Sequence, residues 1–210
     1  EGKDGAHAWT RVWVSKGRVL YCGESMVSDA NAVIKTNQWT GERYYCLNNS
    51  MVVILDSQGD IVGEIPLPSG SGPGQFNLRG DICGDRDGNV YIVDFYNHRI
   101  QIFNRTGAFQ RIVSVGGMYS FWLGADEEGN IYVSGQDGGM QLDKYNRDGE
   151  KIRRFSDIGY DYEGGMLISK DGSIMCGLRN GNITWRSGEN GTLIYQNSGQ
   201  KLVNIDKEGR

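Results

Sequence analysis

Apolar and polar residues alternate in short runs along most of the chain, and the runs break at polar turns that end in glycine. Alternation with a period of two marks half-buried strands, so the pattern predicts many short β-strands and no long helix. One line, a polar turn followed by a strand, recurs as Asp85-Arg86-Asp87-Gly88-Asn89-Val90-Tyr91-Ile92-Val93, Asp126-Glu127-Glu128-Gly129-Asn130-Ile131-Tyr132-Val133 and Lys170-Asp171-Gly172-Ser173-Ile174-Met175-Cys176. Trp39-Thr40-Gly41-Glu42-Arg43-Tyr44-Tyr45-Cys46 is a weaker copy, and Asp206-Lys207-Glu208-Gly209 begins another.

A second line places the strand first and the turn after it. It reads Val53-Ile54-Leu55-Asp56-Ser57-Gln58-Gly59, Gln101-Ile102-Phe103-Asn104-Arg105-Thr106-Gly107, Asp143-Lys144-Tyr145-Asn146-Arg147-Asp148-Gly149 and Trp185-Arg186-Ser187-Gly188-Glu189-Asn190-Gly191, with Val12-Trp13-Val14-Ser15-Lys16-Gly17 opening the series. The two series interleave, each with a period of about 42 residues, so every repeat holds two hairpins and four strands. Four strands in about 40 to 50 residues is the mark of a β-propeller blade. Glycine belongs at these turns because tight hairpin loops need positive φ.

The expected fold is therefore all-β: a β-propeller of four-stranded antiparallel blades, with about five blade equivalents in a single domain over 1–210. With strands A to D in each, the blades fall at 30–67, 77–115, 119–157 and 161–197. Residues 9–23 form a leftover C–D hairpin, and 200–210 begin a leftover A strand. Together they would make a composite fifth blade, or the chain is a segment of a larger ring.

Composition adds three constraints. Thirty-two glycines against 3 prolines fit blades, because proline cannot donate to a strand ladder. A net charge of −4 lacks the clustered cations that phosphate binding requires, which argues against a nucleic-acid partner. The longest apolar run, Met51 to Leu55, is far short of the roughly 20 residues of a membrane-spanning helix, so no membrane span is expected. Glu1 begins no apolar leader, so a signal peptide is expected to have been removed or never to have existed. Cys22, Cys46, Cys83 and Cys176 lie in apolar runs without a CxxC pair. Buried thiols are the favoured reading, with one or two disulfides in an exported protein as the alternative.

Blade two carries a family signature. Gly72-Pro73-Gly74-Gln75-Phe76-Asn77-Leu78, Asp87-Gly88-Asn89-Val90-Tyr91-Ile92-Val93-Asp94 and Asn97-His98-Arg99-Ile100-Gln101-Ile102-Phe103 closely resemble an NHL repeat. Blade three keeps Glu128-Gly129-Asn130-Ile131-Tyr132-Val133 but has Gly138-Gly139-Met140 where the repeat has Asn-His-Arg. Blades one and four keep only the hairpin rhythm. The resemblance implies an NHL-type propeller, a family whose rings are usually six-bladed.

The resemblance also implies an alternative activity, since some such propellers are metal-dependent hydrolases or lyases. A central metal needs several converging histidines or carboxylates, and His7 and His98 are the only histidines. His98 is expected to act structurally. Asp85, Asp87, Asp126 and Glu128 are expected to serve their turns. No catalytic residue, metal site or cofactor is expected. Arg79-Gly80-Asp81 is read as a chance tripeptide, and four N-x-Ser/Thr sequons (Asn48, Asn104, Asn182, Asn190) give a mild hint of glycosylation and of an extracellular or periplasmic setting.

Strand alternation sorts the loops. A–B and C–D turns share one face and read as mixed-charge and solvated. B–C loops and D-to-A connectors share the other, which collects Phe95, Tyr96, Tyr119, Phe121, Trp122, Tyr160, Tyr162 and Arg179. Tyrosine, tryptophan and arginine are enriched at binding hot spots. Phe95, Tyr96, Trp122, Tyr160, Tyr162 and Arg179 are therefore the candidate ligand-binding residues, with Phe121 and Trp122 also suited to wedging between blades. Asp161 and Glu163 make the tyrosine patch locally acidic. The expected function is a non-catalytic scaffold for a protein, peptide or glycan partner, within a larger complex or homo-oligomer. The metal-dependent enzyme is the alternative, and RNA binding ranks third.

Overall fold

The computed structural model describes residues 10–15, 18–23, 34–47, 50–116, 119–136, 139–155, 166–179 and 182–198. A hairpin of β1 (Thr10–Ser15) and β2 (Arg18–Gly23) comes first. Four antiparallel sheets follow, each of four strands in chain order. Blade one is β3 (Ile34–Thr36), β4 (Arg43–Leu47), β5 (Met51–Leu55) and β6 (Ile61–Pro66). Blade two is β7 (Arg79–Gly84), β8 (Val90–Asp94), β9 (Arg99–Phe103) and β10 (Phe109–Ser114). Blade three is β11 (Tyr119–Ala125), β12 (Ile131–Gln136), β13 (Met140–Tyr145) and β14 (Lys151–Phe155). Blade four is β15 (Met166–Ile168), β16 (Ile174–Arg179), β17 (Asn182–Ser187) and β18 (Leu193–Ser198). The one helical element among the described residues is a 3-10 turn at Phe95–Asn97. This is an all-β fold of propeller blades. Residues 200–210, where a further A strand is expected, lie outside the described residues.

The turn glycines behave as hairpin geometry requires. Gly41, Gly88, Gly129 and Gly172 in the A–B turns, and Gly59, Gly107, Gly149 and Gly191 in the C–D turns, all have φ between +70° and +94°. The residue that opens each turn fixes it from the side. Asp56, Asn104 and Asn146 each accept two backbone N–H groups through Oδ1, two and four residues ahead. Such Asx turns satisfy the loop backbone without tertiary help.

The core lies between blades rather than within them. Tyr44, Ile54 and Ile65 of blade one pack with Ile82, Ile92 and Phe103 of blade two. Val93 and Ile100 of blade two meet Leu123, Ile131 and Val133 of blade three, and Tyr132 and Leu142 meet Met166 and Met175 of blade four. Two glycines let the blades approach: a Cβ at Gly84 would collide with Tyr44 Oη, and one at Gly124 with Ile168. Turn charges bridge the same interfaces. Glu42 pairs with Arg105 at 2.7 Å, and Asp87 with Arg147.

Cys46, Cys83 and Cys176 are free thiols, two buried and Cys83 partly so. Burial raises the Cys83 thiol well above its ordinary range and pushes Cys176 up to about 12. They serve as packing groups, not thiolates. Arg79 and Asp81 of the Arg-Gly-Asp tripeptide are buried in β7.

Candidate functional site

The loop face of blade two is organised by one buried carboxylate. Asp94, fully buried at the end of β8, accepts from Asn77 N–H, Asn97 Nδ2, Arg99 Nε and Gln101 Nε2. Arg99 also donates to the carbonyls of Ser71, Gly72 and Gln75. Gln101 donates to Gln75 O and accepts from Gly74 N–H, while Asn97 reaches Gly70 O. The Asn-x-Arg-x-Gln spacing thus pins the glycine-rich connector 70–77 onto the centre of the sheet. A charged group is tolerated at this depth because every partner is present.

That latch positions an aromatic cluster. Phe95 N–H donates to Leu78 O and Tyr96 N–H to Asn77 O, so the 3-10 turn sits directly against the connector. The Phe95 and Tyr96 rings meet edge-on at 5.0 Å between centroids, and both reach Tyr119, at 5.4 and 6.2 Å. His98 stacks edge-on against Tyr119 at 4.4 Å, and its buried Nδ1 has no hydrogen-bond partner among the described residues. Phe95 packs down onto the blade two–three core, whereas Tyr96 and Tyr119 are 52% and 40% exposed, beside Leu78 at 52%. Leu78 and His98 are the two non-glycine residues with positive φ among the described residues, at +65° and +51°. Such conformations cost on the order of 1 kcal/mol and persist where the surroundings impose them.

The other predicted residues are placed differently. Tyr119 is the first residue of β11 rather than a connector residue, and Phe121 and Trp122 lie inside that strand. Trp122 packs against the cluster of Tyr132, Leu142, Phe155 and Met166 between blades three and four, a wedge position. Strand β11 begins at Tyr119, where blade three was expected to start, so these residues belong to strand A and not to the connector before it. Arg179 ends β16 instead of standing in a loop. Tyr160 and Tyr162 lie outside the described residues, as do Asp161, Glu163, His7 and Asn48. Asn182 opens β17, and the hydroxyl-bearing Thr184 of its sequon is buried. Asn104 and Asn190 occupy turns in which their side-chain oxygens accept backbone N–H groups.

The acidic turn residues do turn work. Asp85 accepts from Asp87 and Asn89 N–H, Asn89 Nδ2 and Tyr91 Oη; Asp126 repeats this with Glu128, Asn130 and Tyr132. Among the described residues no group of three or more His, Cys, Asp or Glu side chains is placed to hold a metal ion.

A second concavity lies on the propeller axis, where sequence reasoning placed nothing. The inner strands β3, β7, β11 and β15 enclose a cavity of about 440 Å³ near their A–B ends. Lys35 Nζ pairs there with buried Asp81 at 2.5 Å and donates to Leu123 O at 3.2 Å, while Gln38 Nε2 donates to Ile168 O at 3.2 Å. Asp81 also accepts from Leu123 N–H and Ile82 N–H. These bonds tie blade one to blades two, three and four. The signal available in the sequence was a carboxylate inside an apolar strand, Asp81-Ile82-Cys83.

Residues 80–103, which span β7 to β9 and hold most of the latch, match the NHL repeat. A solved structure described as a streptogramin B lyase is similar, with a TM-score of 0.58 and 13% identity over 92% of this chain and 63% of that one. The chain therefore spans less than two thirds of the lyase's length, and identity this low speaks for the fold alone. It is one of 602 matching solved chains, a breadth that lets fold carry no function by itself. Blades and repeat together define a β-propeller fold that carries one NHL repeat at residues 80–103.

Proposed function

We propose that this propeller is a non-catalytic interaction scaffold that takes a protein, peptide or glycan partner on the face built by its B–C loops and D-to-A connectors. The observation that carries this reading is the cluster of exposed Tyr96 and Tyr119 with Leu78, beside a connector that the Asp94 latch pins to blade two. Tyrosine offers large contact area at low entropic cost, and a pre-organised patch loses little freedom on binding. NHL propellers commonly mediate protein interactions, which supports the same assignment. The competing reading, a metal-dependent hydrolase or lyase, draws support from the likeness to the streptogramin B lyase. Affinity capture with the wild-type chain and a Tyr96→Ala/Tyr119→Ala variant tests the scaffold. Circular dichroism checks that the variant keeps its fold, and retention of partners should fall at least about tenfold, or 1.4 kcal/mol. Equal capture by both chains would overturn the assignment to this face. A stoichiometric divalent ion found by elemental analysis of the purified protein would instead favour the enzyme.

A further inference from the structure

We propose that the axial cavity is a second, separate binding site, for a small uncharged hydroxylated ring of monosaccharide size. The volume of about 440 Å³ falls within the range of roughly 300–1,000 Å³ seen for small-molecule sites. The walls are chemically divided. Leu123 and Ala125 of blade three and Met166 and Ile168 of blade four give an apolar side, and Trp39 adds an aromatic ring. The polar side comes from blade one and from backbone. Strands β3, β7, β11 and β15 are each the first strand of their sheet, paired on one side only, so their free edges present backbone donors and acceptors that no ladder uses. That Lys35 and Gln38 reach Leu123 O and Ile168 O across the axis shows that these edge groups face the cavity.

Charge selects against ions. Lys35 is the cation among the described residues that line the cavity, and Asp81 already neutralises it at 2.5 Å. An anion would compete with that buried carboxylate, and a cation would meet the ammonium. Hydrogen-bonding capacity is nonetheless left over. Among the described residues the Lys35 ammonium donates two of its three N–H groups, and Gln38 donates through Nε2 with no partner at its Oε1. A molecule with several hydroxyls, each donor and acceptor, and a C–H face for Trp39 and the aliphatic wall meets both sides at once. The lining residues lie at the A–B ends of the inner strands, whereas Tyr96 and Tyr119 lie at the opposite ends of their blades, so the site stands or falls independently of the scaffold reading.

Ligand-observed saturation-transfer NMR on the full chain tests this. The probes are glucose, galactose, mannose and myo-inositol, with glucuronate and glucosamine as the charged pyranose counterparts of glucose. At least one neutral probe should saturate with a millimolar Kd and bind at least about tenfold more tightly than its charged counterpart. Gln38→Ala and Trp39→Phe should each weaken it at least about tenfold, whereas Tyr96→Ala/Tyr119→Ala should leave it unchanged. Circular dichroism identifies any variant that fails to fold, and the other then decides. Absence of saturable binding by every neutral probe up to about 100 mM, tighter binding of glucuronate or glucosamine, or a loss that follows the tyrosine pair would overturn the proposal.

Discussion

Blades two and three are built from the same hairpins and part company at one end. At the A–B end they are nearly superimposable in chemistry: Asp85 and Asp126 each hold two backbone N–H groups, an asparagine amide and a buried tyrosine hydroxyl. At the B–C end the ladder places Gly135 where blade two has Asp94, Gln141 where it has Arg99, and Asp143 where it has Gln101. Asp143 is as buried as Gln101, but it is satisfied by Arg154 and Lys151 from the outer strand of its own blade. Blade two spends its buried polar groups on a connector, and blade three spends them on itself. The turns that close a blade are fixed by the repeat, while the opposite ends are free to diverge, and the exposed aromatic cluster sits at a divergent end.

The largest expected effect breaks the latch. Asp94→Ala should cost about 3–5 kcal/mol in urea unfolding, because it strands Arg99 and frees the 70–77 connector; a loss below about 1 kcal/mol would show that the latch is ornamental. Next, Asp85→Ala and Asp126→Ala should cost about 2–3 kcal/mol each. Near-equal losses sharpen the equivalence of the two A–B ends, with any excess at Asp126, where Lys144 adds an ion pair at 3.3 Å. A smaller gain is expected in the other direction. Ser134, fully buried at the place of Val93, has a hydroxyl without a partner among the described residues. Ser134→Val or Ser134→Ala should stabilise by about 1 kcal/mol, and a destabilised pair of variants would refute that reading.

Near neutrality the smallest effect concerns protons. Burial, and then the neighbouring carboxylates Asp85 and Asp126, raise the phenols of Tyr91 and Tyr132 above their ordinary value of 10.0. The folded state thus holds these protons more tightly than the unfolded chain. Their contribution is fully present below pH 10 and is lost as the pH rises through the folded values. Tyrosinate absorbance from these residues should appear only together with unfolding, and Tyr91→Phe and Tyr132→Phe should each remove an equal share of that step.

Legibility followed the range of the interactions. The eight turn glycines could be read because hairpin backbone geometry is local and repeats. The Asn97, Arg99 and Gln101 pattern was visible as a signature, but its meaning was not, since its partners are carbonyls 24 to 28 residues away. Tyr96 was legible as a loop tyrosine and 119 as the start of blade three; their union was not, because it depends on how two neighbouring blades meet. The axial cavity was illegible because Lys35, Asp81, Leu123 and Ile168 come together only when four blades meet.

The turn charges between blades have one more implication. In each pair the A–B turn of one blade holds an arginine at the second position of the next blade's C–D turn: Glu42 with Arg105, then Asp87 with Arg147. Blade four has Gly188 at that position. A blade of the blade-two kind is thus an interchangeable part with a plug on one flank and a socket on the other. A duplicated copy could be spliced between blades two and three with its wiring intact, whereas a copy of blade four would arrive without the plug.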